Sequence, residues 1–182
     1  GIPGVIANEN ELRIDISLFG DETDTLRFQL WGAEKPDKLV GTYLDGSILD
    51  EFGVMNPSVW STAIRPQLSD KDRIKVHKPW AHFIGTPRGK NSFYDLYKYA
   101  RDEKDPEWYQ KVLKASETGY VDAAELASAR RTMSEDEYMQ EYECSFEAAL
   151  KGAYYSKIIS DLESKKRITR VPYDPSLGVI TG

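Results

Sequence analysis

Two adjacent carboxylates, Asp50 and Glu51, stand at the end of a short apolar run, Ile48-Leu49. Two acids in that position can divide the work of phosphoryl transfer. The first holds the hydration shell of Mg²⁺, and the second polarises the attacking water. Mg²⁺ keeps most of its waters and needs only one or two carboxylates, so the pair is sufficient for that task. Without context the same two residues read first as an acidic turn after a strand. A second group, Gly85-Thr86-Pro87, closes another apolar run, WAHFI over 80–84. A small hydroxyl there can bond a phosphate or the water it releases, and glycine lets backbone approach closely. Alone, this group too is no more than a turn that caps the next helix.

The elements around them decide whether the two groups can meet. Residues 43–50 read as a buried strand with its acids at the C-terminal end, where open α/β sheets place ligands. Residues 80–84 read as a second buried strand. Between them, Pro57 and Ser58 open a short helix through Ile64, stopped by Pro66. A strand–helix–strand unit with the usual right-handed crossover brings both C-terminal strand ends to one edge of a parallel sheet. In a P-loop NTPase such an edge holds the hydrolytic acids.

The rest of the chain is patterned as clearly. Residues 11–18 and 25–31 each alternate, with Leu12, Ile14, Ile16 and Leu18 on one face of the first and Leu26, Phe28 and Leu30 on one face of the second. Separated by a polar turn, they predict a β-hairpin. Asn91 or Ser92 caps a helix to about Arg101, and Phe93, Leu96, Tyr97 and Ala100 share a face. Residues 108–115 read as a further strand. Asp122 with Glu125, and Ser134 with Glu137, are capping boxes that start helices through Met133 and about Phe146. A last helix spans about 154–166 with Ile158, Ile159 and Leu162 as its apolar stripe. Arg167 to Pro175 reads as a linker, and Val179-Ile180-Thr181 as the start of a strand. The whole is α/β, with a helical C-terminal portion.

In order along the chain, LDGSILDEFGVMNPSVWSTAIRPQL, FIGTPRGKNSFYDLY, KASETG, ARRTMSEDEYMQEYECSFEAALKGAYYSKII and ITRVPYDPS resemble successive blocks of the bacteriophage terminase large subunit, the ATP-driven motor that packages viral DNA. The resemblance covers nearly the whole chain. It implies a partial P-loop NTPase sheet of the ASCE type, with residues 1–150 as the C-terminal half of the ATPase domain, 151–175 as a helix and linker, and 176–182 as the start of a truncated RNase H-like nuclease domain. It implies that Asp50 supports Mg²⁺ through water, that Glu51 activates water, and that Thr86 with Gly85 senses the γ-phosphate of ATP and couples hydrolysis to movement. The family's partners would then be dsDNA, the portal protein, a small terminase subunit and sibling subunits in a homo-oligomeric ring. The site of action would be the host cytoplasm, at the procapsid.

Three departures temper these expectations. No G-x-x-x-x-G-K-[ST] occurs among the 182 residues, so the chain reads as a fragment whose own ATP binding and hydrolysis are weak or absent. Many relatives have an arginine before the acid-bearing strand where this chain has Val40. An apolar side chain cannot stabilise developing phosphate charge, and Arg65 or Lys38 are the candidate substitutes. The nuclease's first metal-binding acid would follow Thr181, so nuclease activity is not expected. The alternative is a non-catalytic remnant or assembly module that binds portal, DNA or sibling subunits. A helicase shares the two strand ends, but the later blocks fit it less well.

Charge and composition narrow the field further. A formal charge of −6 argues against a whole-surface nucleic-acid binder, though not against a local patch. Lys71, Arg73 and Lys75, with His77 and Lys78, form a basic loop between the two strands, and Arg88 and Lys90 add charge beside the second. These, with Arg65, are the candidate contacts to DNA phosphates or to a neighbouring subunit's nucleotide, with a solvated loop as the plain alternative. Lys165, Lys166, Arg167 and Arg170 form a second such cluster. One cysteine and two separated histidines make neither a disulfide framework nor a typical zinc site. Cys144 reads as core on a helix, and Phe93, Tyr94, Tyr97 and Tyr99 as packing. No apolar run is long enough to span a bilayer and no signal peptide opens the chain, so no membrane partner is expected.

Overall fold

A computed structural model of the chain describes residues 4–17, 25–39, 41, 43–69, 78–147 and 156–168. It divides into two compact units, Gly1–Gly85 and Thr86–Gly182.

The first unit contains two sheets. The expected hairpin is present as β2 (Arg13–Ser17) and β3 (Thr25–Gln29), paired antiparallel with Ile14 opposite Phe28 and Ile16 opposite Leu26. The apolar residues of the two runs thus face one another across the pair. A strand not anticipated, β1 (Val5–Asn8), pairs with the outer edge of β2 to complete the order β1-β2-β3. Leu12 falls outside the expected strand because its backbone is left-handed, with φ 49°. On the opposite face, Asp15 sits between Arg13 and Arg27. The hydrogen bond from Arg27 Nε at 2.8 Å holds the Asp15 carboxyl below its ordinary range.

The second sheet is the expected parallel pair. β4 (Gly46–Leu49) lies alongside β5 (Trp80–Phe83), with Leu49 opposite Phe83. One face is covered. Leu49 and Phe52 are each 2% exposed, and the Phe83 ring meets Phe52 at 4.9 Å and Trp60 at 4.8 Å, both edge-on. Leu39, Val59, Ala63, Ile64 and Leu68 complete this core. The other face carries Ile48, Trp80 and Ile84, all exposed.

The helix between the strands differs from the expectation in one respect. It is a π-helix over Val59–Ile64 that runs into a single α-turn, α1 (Arg65–Gln67), and Pro66 does not stop it. The Arg65 N–H bonds the Trp60 carbonyl, a π-type step, whereas Leu68 N–H bonds Ile64 in the ordinary α pattern. The missing N–H of Pro66 falls at the seam between the two patterns, where a bond is skipped in any case. Buried Gln67 finishes the turn, its amide donating to the carbonyls of Leu39 and Ala63, the latter at 2.8 Å.

The second unit is helical, with α2 (Ser92–Asp102), α3 (Ala115–Thr118), α4 (Ala123–Thr132), α5 (Glu135–Glu141) and α6 (Ser156–Ser164). The capping residues are those expected, but of the two expected boxes only Ser134 with Glu137 is reciprocal, Asp122 capping without a return bond from Glu125. The Asn91 side chain accepts from the N–H groups of Phe93 and Tyr94, Asp122 accepts from Ala124, and Ser134 with Glu137 forms a reciprocal box. Two expectations are corrected. Residues 108–114 form no strand, because a strand exists by pairing and they have no ladder partner among the described residues. The helix expected to reach Phe146 ends at Glu141, where Tyr142 closes the turn and Cys144 takes φ 53°. Phe146, released from the helix, becomes the hub of an aromatic cluster with Phe93, Tyr94 and Tyr97 at 5.1–6.0 Å. The 169–175 part of the expected linker and the expected strand at 179–181 lie outside the described residues.

Candidate functional site

The two strand ends of the parallel pair converge through the backbone. Ile84 N–H donates to the Leu49 carbonyl at 2.9 Å, and Phe52 N–H donates to the Ile84 carbonyl at 2.9 Å. The ladder thus continues past the strands and fixes the turn bearing Asp50 and Glu51 against the exit of β5. Both acids are exposed. The Asp50 carboxylate accepts the Glu51 N–H at 3.0 Å, which holds its side chain beside the turn. Glu51 has a left-handed backbone, φ 54° and ψ 38°, a conformation that costs a residue with a Cβ and recurs at functional turns. Phe52, buried beneath, anchors the turn from below.

Gly85 packs onto that turn. A methyl group at position 85 would stand 3.2 Å from Glu51 Cα and Phe52 N, and 3.3 Å from the Glu51 carbonyl carbon. All three are backbone atoms with no rotamer to yield, so glycine is what permits the close approach. The first unit therefore brings together Asp50, Glu51 and Gly85. Thr86 follows Gly85 in the chain and opens the second unit, half-buried beside buried Pro87.

The predicted cations have separate fates. Arg65 is exposed at the junction of the π-helix and α1. Arg88 and Lys90 are each ion-paired within the second unit, to Glu141 at 2.6 Å and to Glu147 at 3.0 Å. Lys165 pairs with Asp161 at 2.7 Å. Lys71, Arg73 and Lys75, along with His77, lie outside the described residues. His82 meets the Trp80 ring at 4.8 Å in a tilted arrangement, and Cys144 is not helical but half-buried, its thiol donating to the Leu113 carbonyl at 3.5 Å. Burial pushes that thiol above its ordinary range, so it is poorly suited to act as a nucleophile.

Sequence reasoning passed over Glu141, Glu147 and Gln67. The two acids sit among many on charged helices and carry no mark in sequence. Gln67 lies between Pro66 and Leu68 with nothing local to mark it, and its amide bonds a long-range partner, the Leu39 carbonyl.

Chemically, the acid pair is suited to a hydrated hard cation. Among the described residues no three His, Cys, Asp or Glu side chains converge. A Mg²⁺ at this turn would thus draw its remaining ligands from water and substrate oxygens, as that ion ordinarily does. Among the described residues no helix is long and apolar enough to cross a membrane.

No protein-family model matches the chain. It is 34% identical over 121 residues to the terminase large subunit of Escherichia phage T5, which is 65% of this chain and 26% of that protein. It is 44% identical over 73 residues to the terminase large subunit of Thermus phage G20c, covering 40% of this chain and 14% of the relative. The chain thus spans about a quarter or less of these relatives' lengths. The ATPase domain of the Thermus phage P74-26 large terminase superposes with a TM-score of 0.61 and 25% identity, over 78% of this chain and 62% of that one. The parallel pair with its flanking helices is accordingly part of a P-loop NTPase sheet, and the chain is similar to terminase large subunits in the region of their ATPase domain.

Proposed function

We propose that this chain contributes the hydrolytic acids and the coupling motif of a viral DNA-packaging ATPase. In this reading Asp50 holds the water shell of Mg²⁺, and Glu51 orients the attacking water and draws its proton. Gly85 keeps the β5 exit close to the acids, and the Thr86 hydroxyl senses the terminal phosphate of ATP. When bound, Mg²⁺-ATP supplies the electrophilic phosphorus and its charge compensation. The protein's part is to position water and withdraw a proton at the strand edge. The partners are those of the family: dsDNA as the translocated substrate, the portal protein, the small terminase subunit and sibling subunits in a ring. Arg65, which is exposed, is the candidate contact to DNA or to a neighbour's nucleotide.

The observation that carries this reading is the parallel β4–β5 pair, with Glu51 and Gly85 in backbone contact just beyond its C-terminal ends. ATP turnover should be measured for this chain and for a version extended upstream, each with and without Glu51→Gln. Turnover in the longer chain that Glu51→Gln abolishes supports the motor. Equal inactivity of both chains supports the other reading, an assembly module that binds portal, DNA or sibling subunits without hydrolysis.

A further inference from the structure

The loop leaving β5 carries two cations, Arg88 and Lys90, on either side of Gly89. Each is engaged by an acid distant in sequence. Arg88 Nη1 donates to Glu141 Oε1 at 2.6 Å across a separation of 53 residues, and Lys90 Nζ lies 3.0 Å from Glu147 Oε2. Glu141 is the last residue of α5, where the negative end of the helix dipole disfavours a carboxylate. The Arg88 guanidinium relieves that conflict, and the Gln140 amide donates to the same oxygen at 3.1 Å. Pro87 and Gly89, the neighbours of Arg88, are buried, and Gly89 takes φ 72°. The loop is pinned on both sides of a backbone position that only glycine adopts readily.

We infer that Arg88 and Lys90 are positioning residues, a two-point ionic strap fixing the Thr86 loop to the segment from Glu141 to Glu147. With the strap closed, a displacement of Thr86 is delivered to α5 instead of being absorbed by a slack loop. The inference rests on Thr86 acting as the phosphate sensor, and it departs from the expectation that these cations face DNA. A guanidinium whose Nη1 is engaged by a carboxylate already has its charge largely compensated, which weakens its attraction for a phosphate. Both pairs are partly exposed, and such pairs contribute little to global stability. Their effect is on where the loop sits, and a melting curve will barely register it.

The test uses Arg88→Glu, Glu141→Arg and the doubly reversed pair in the full-length protein. Two readouts are needed: hydrogen exchange of amides 86–91 without nucleotide, and DNA length packaged per ATP consumed. Each single reversal should speed exchange several-fold and lower the packaged length per ATP, and the double reversal should recover both. Unchanged exchange in Arg88→Glu, or no recovery in the double variant, overturns the strap. So does a loss of DNA affinity with a shallower salt dependence in Arg88→Glu that Glu141→Arg does not share, which identifies a phosphate contact. Failure of the motor reading is seen separately, as ATP turnover of the full-length protein that Glu51→Gln leaves unchanged, because the exchange readout needs no nucleotide.

Discussion

The Cα of Glu51 lies 3.2 Å from the point where a side chain at Gly85 would begin. The acid turn and the β5 exit are therefore one object, and substitutions on its two sides should have opposite signatures. Gly85→Ala forces a methyl against backbone that cannot rotate away, and overpacking of this kind costs about 1–3 kcal/mol. Glu51→Gly removes the Cβ from a left-handed residue, relieving about 1–2 kcal/mol of strain against a smaller entropic loss. Urea unfolding should show Gly85→Ala less stable than the parent, and Glu51→Gly equal to it or better. Equal stability of Gly85→Ala and the parent would mean that the close contact does not exist.

What the sequence revealed follows from where each signal is local. The alternation of the hairpin strands, the apolar runs that become β4 and β5, and the caps at Asn91, Asp122 and Ser134 depend on residues a few positions apart, and these were legible. The segment 108–115 has strand-like composition, but pairing is a long-range property, and composition cannot supply a partner. The early end of α5 turns on Cys144 adopting a left-handed backbone, which no residue type there announces. Pro66 stops a helix only where an α pattern runs on both sides, and the π-turn before it removes the conflict. The placing of Asp50 and Glu51 just past β4 was legible because it follows from a strand ending. The partners of Arg88 and Lys90 were not, because nothing in the spacing of Glu141 and Glu147 links them to the loop.

Gln67 is the polar residue on which the first unit's core depends. Its amide donates to the Leu39 carbonyl and to the Ala63 carbonyl. Gln67→Leu keeps the volume and removes the donor, leaving the Leu39 carbonyl without that bond. An unsatisfied buried group of this kind costs about 1–3 kcal/mol. Chemical denaturation should show that loss, while Gln67→Glu should be worse because it buries a charge opposite carbonyl oxygens. A Gln67→Leu variant as stable as the parent would show that the bond to Leu39 is not made.

The helix caps of the second unit offer a graded comparison. Asn91 accepts from two N–H groups at the start of α2, at 3.0 and 3.4 Å. Ser134 accepts from Glu137 N–H at 3.3 Å while Glu137 returns a bond to the Ser134 N–H at 3.1 Å. Replacing either cap by alanine costs about 0.5–2 kcal/mol. Because α5 has only seven residues, Ser134→Ala should also lower helical content locally, read as faster amide exchange over 135–141. Glu137→Gln preserves the reciprocal geometry and should retain most of the protection. If alanine at 134 leaves exchange unchanged, α5 is held by its packing and not by its cap.

Cys144 gives a pH-dependent prediction with a definite sign. Burial raises its thiol above the ordinary value, so at mildly alkaline pH the folded chain holds less thiolate than the unfolded chain, and thiolate is the reactive form. Alkylation by iodoacetamide near pH 8 should be several-fold slower in the native protein than in urea. The gap should narrow as pH rises toward the folded-state value. The linkage runs the same way. A group whose folded pKa is raised stabilises the fold below its unfolded pKa, and that contribution fades as pH climbs through the folded one. Stability should therefore decline through the alkaline range, and Cys144→Ser, which does not ionise there, should remove that part of the slope. Native and unfolded chains that alkylate at the same rate would place the thiol in solvent, and the contact with the Leu113 carbonyl would then be absent.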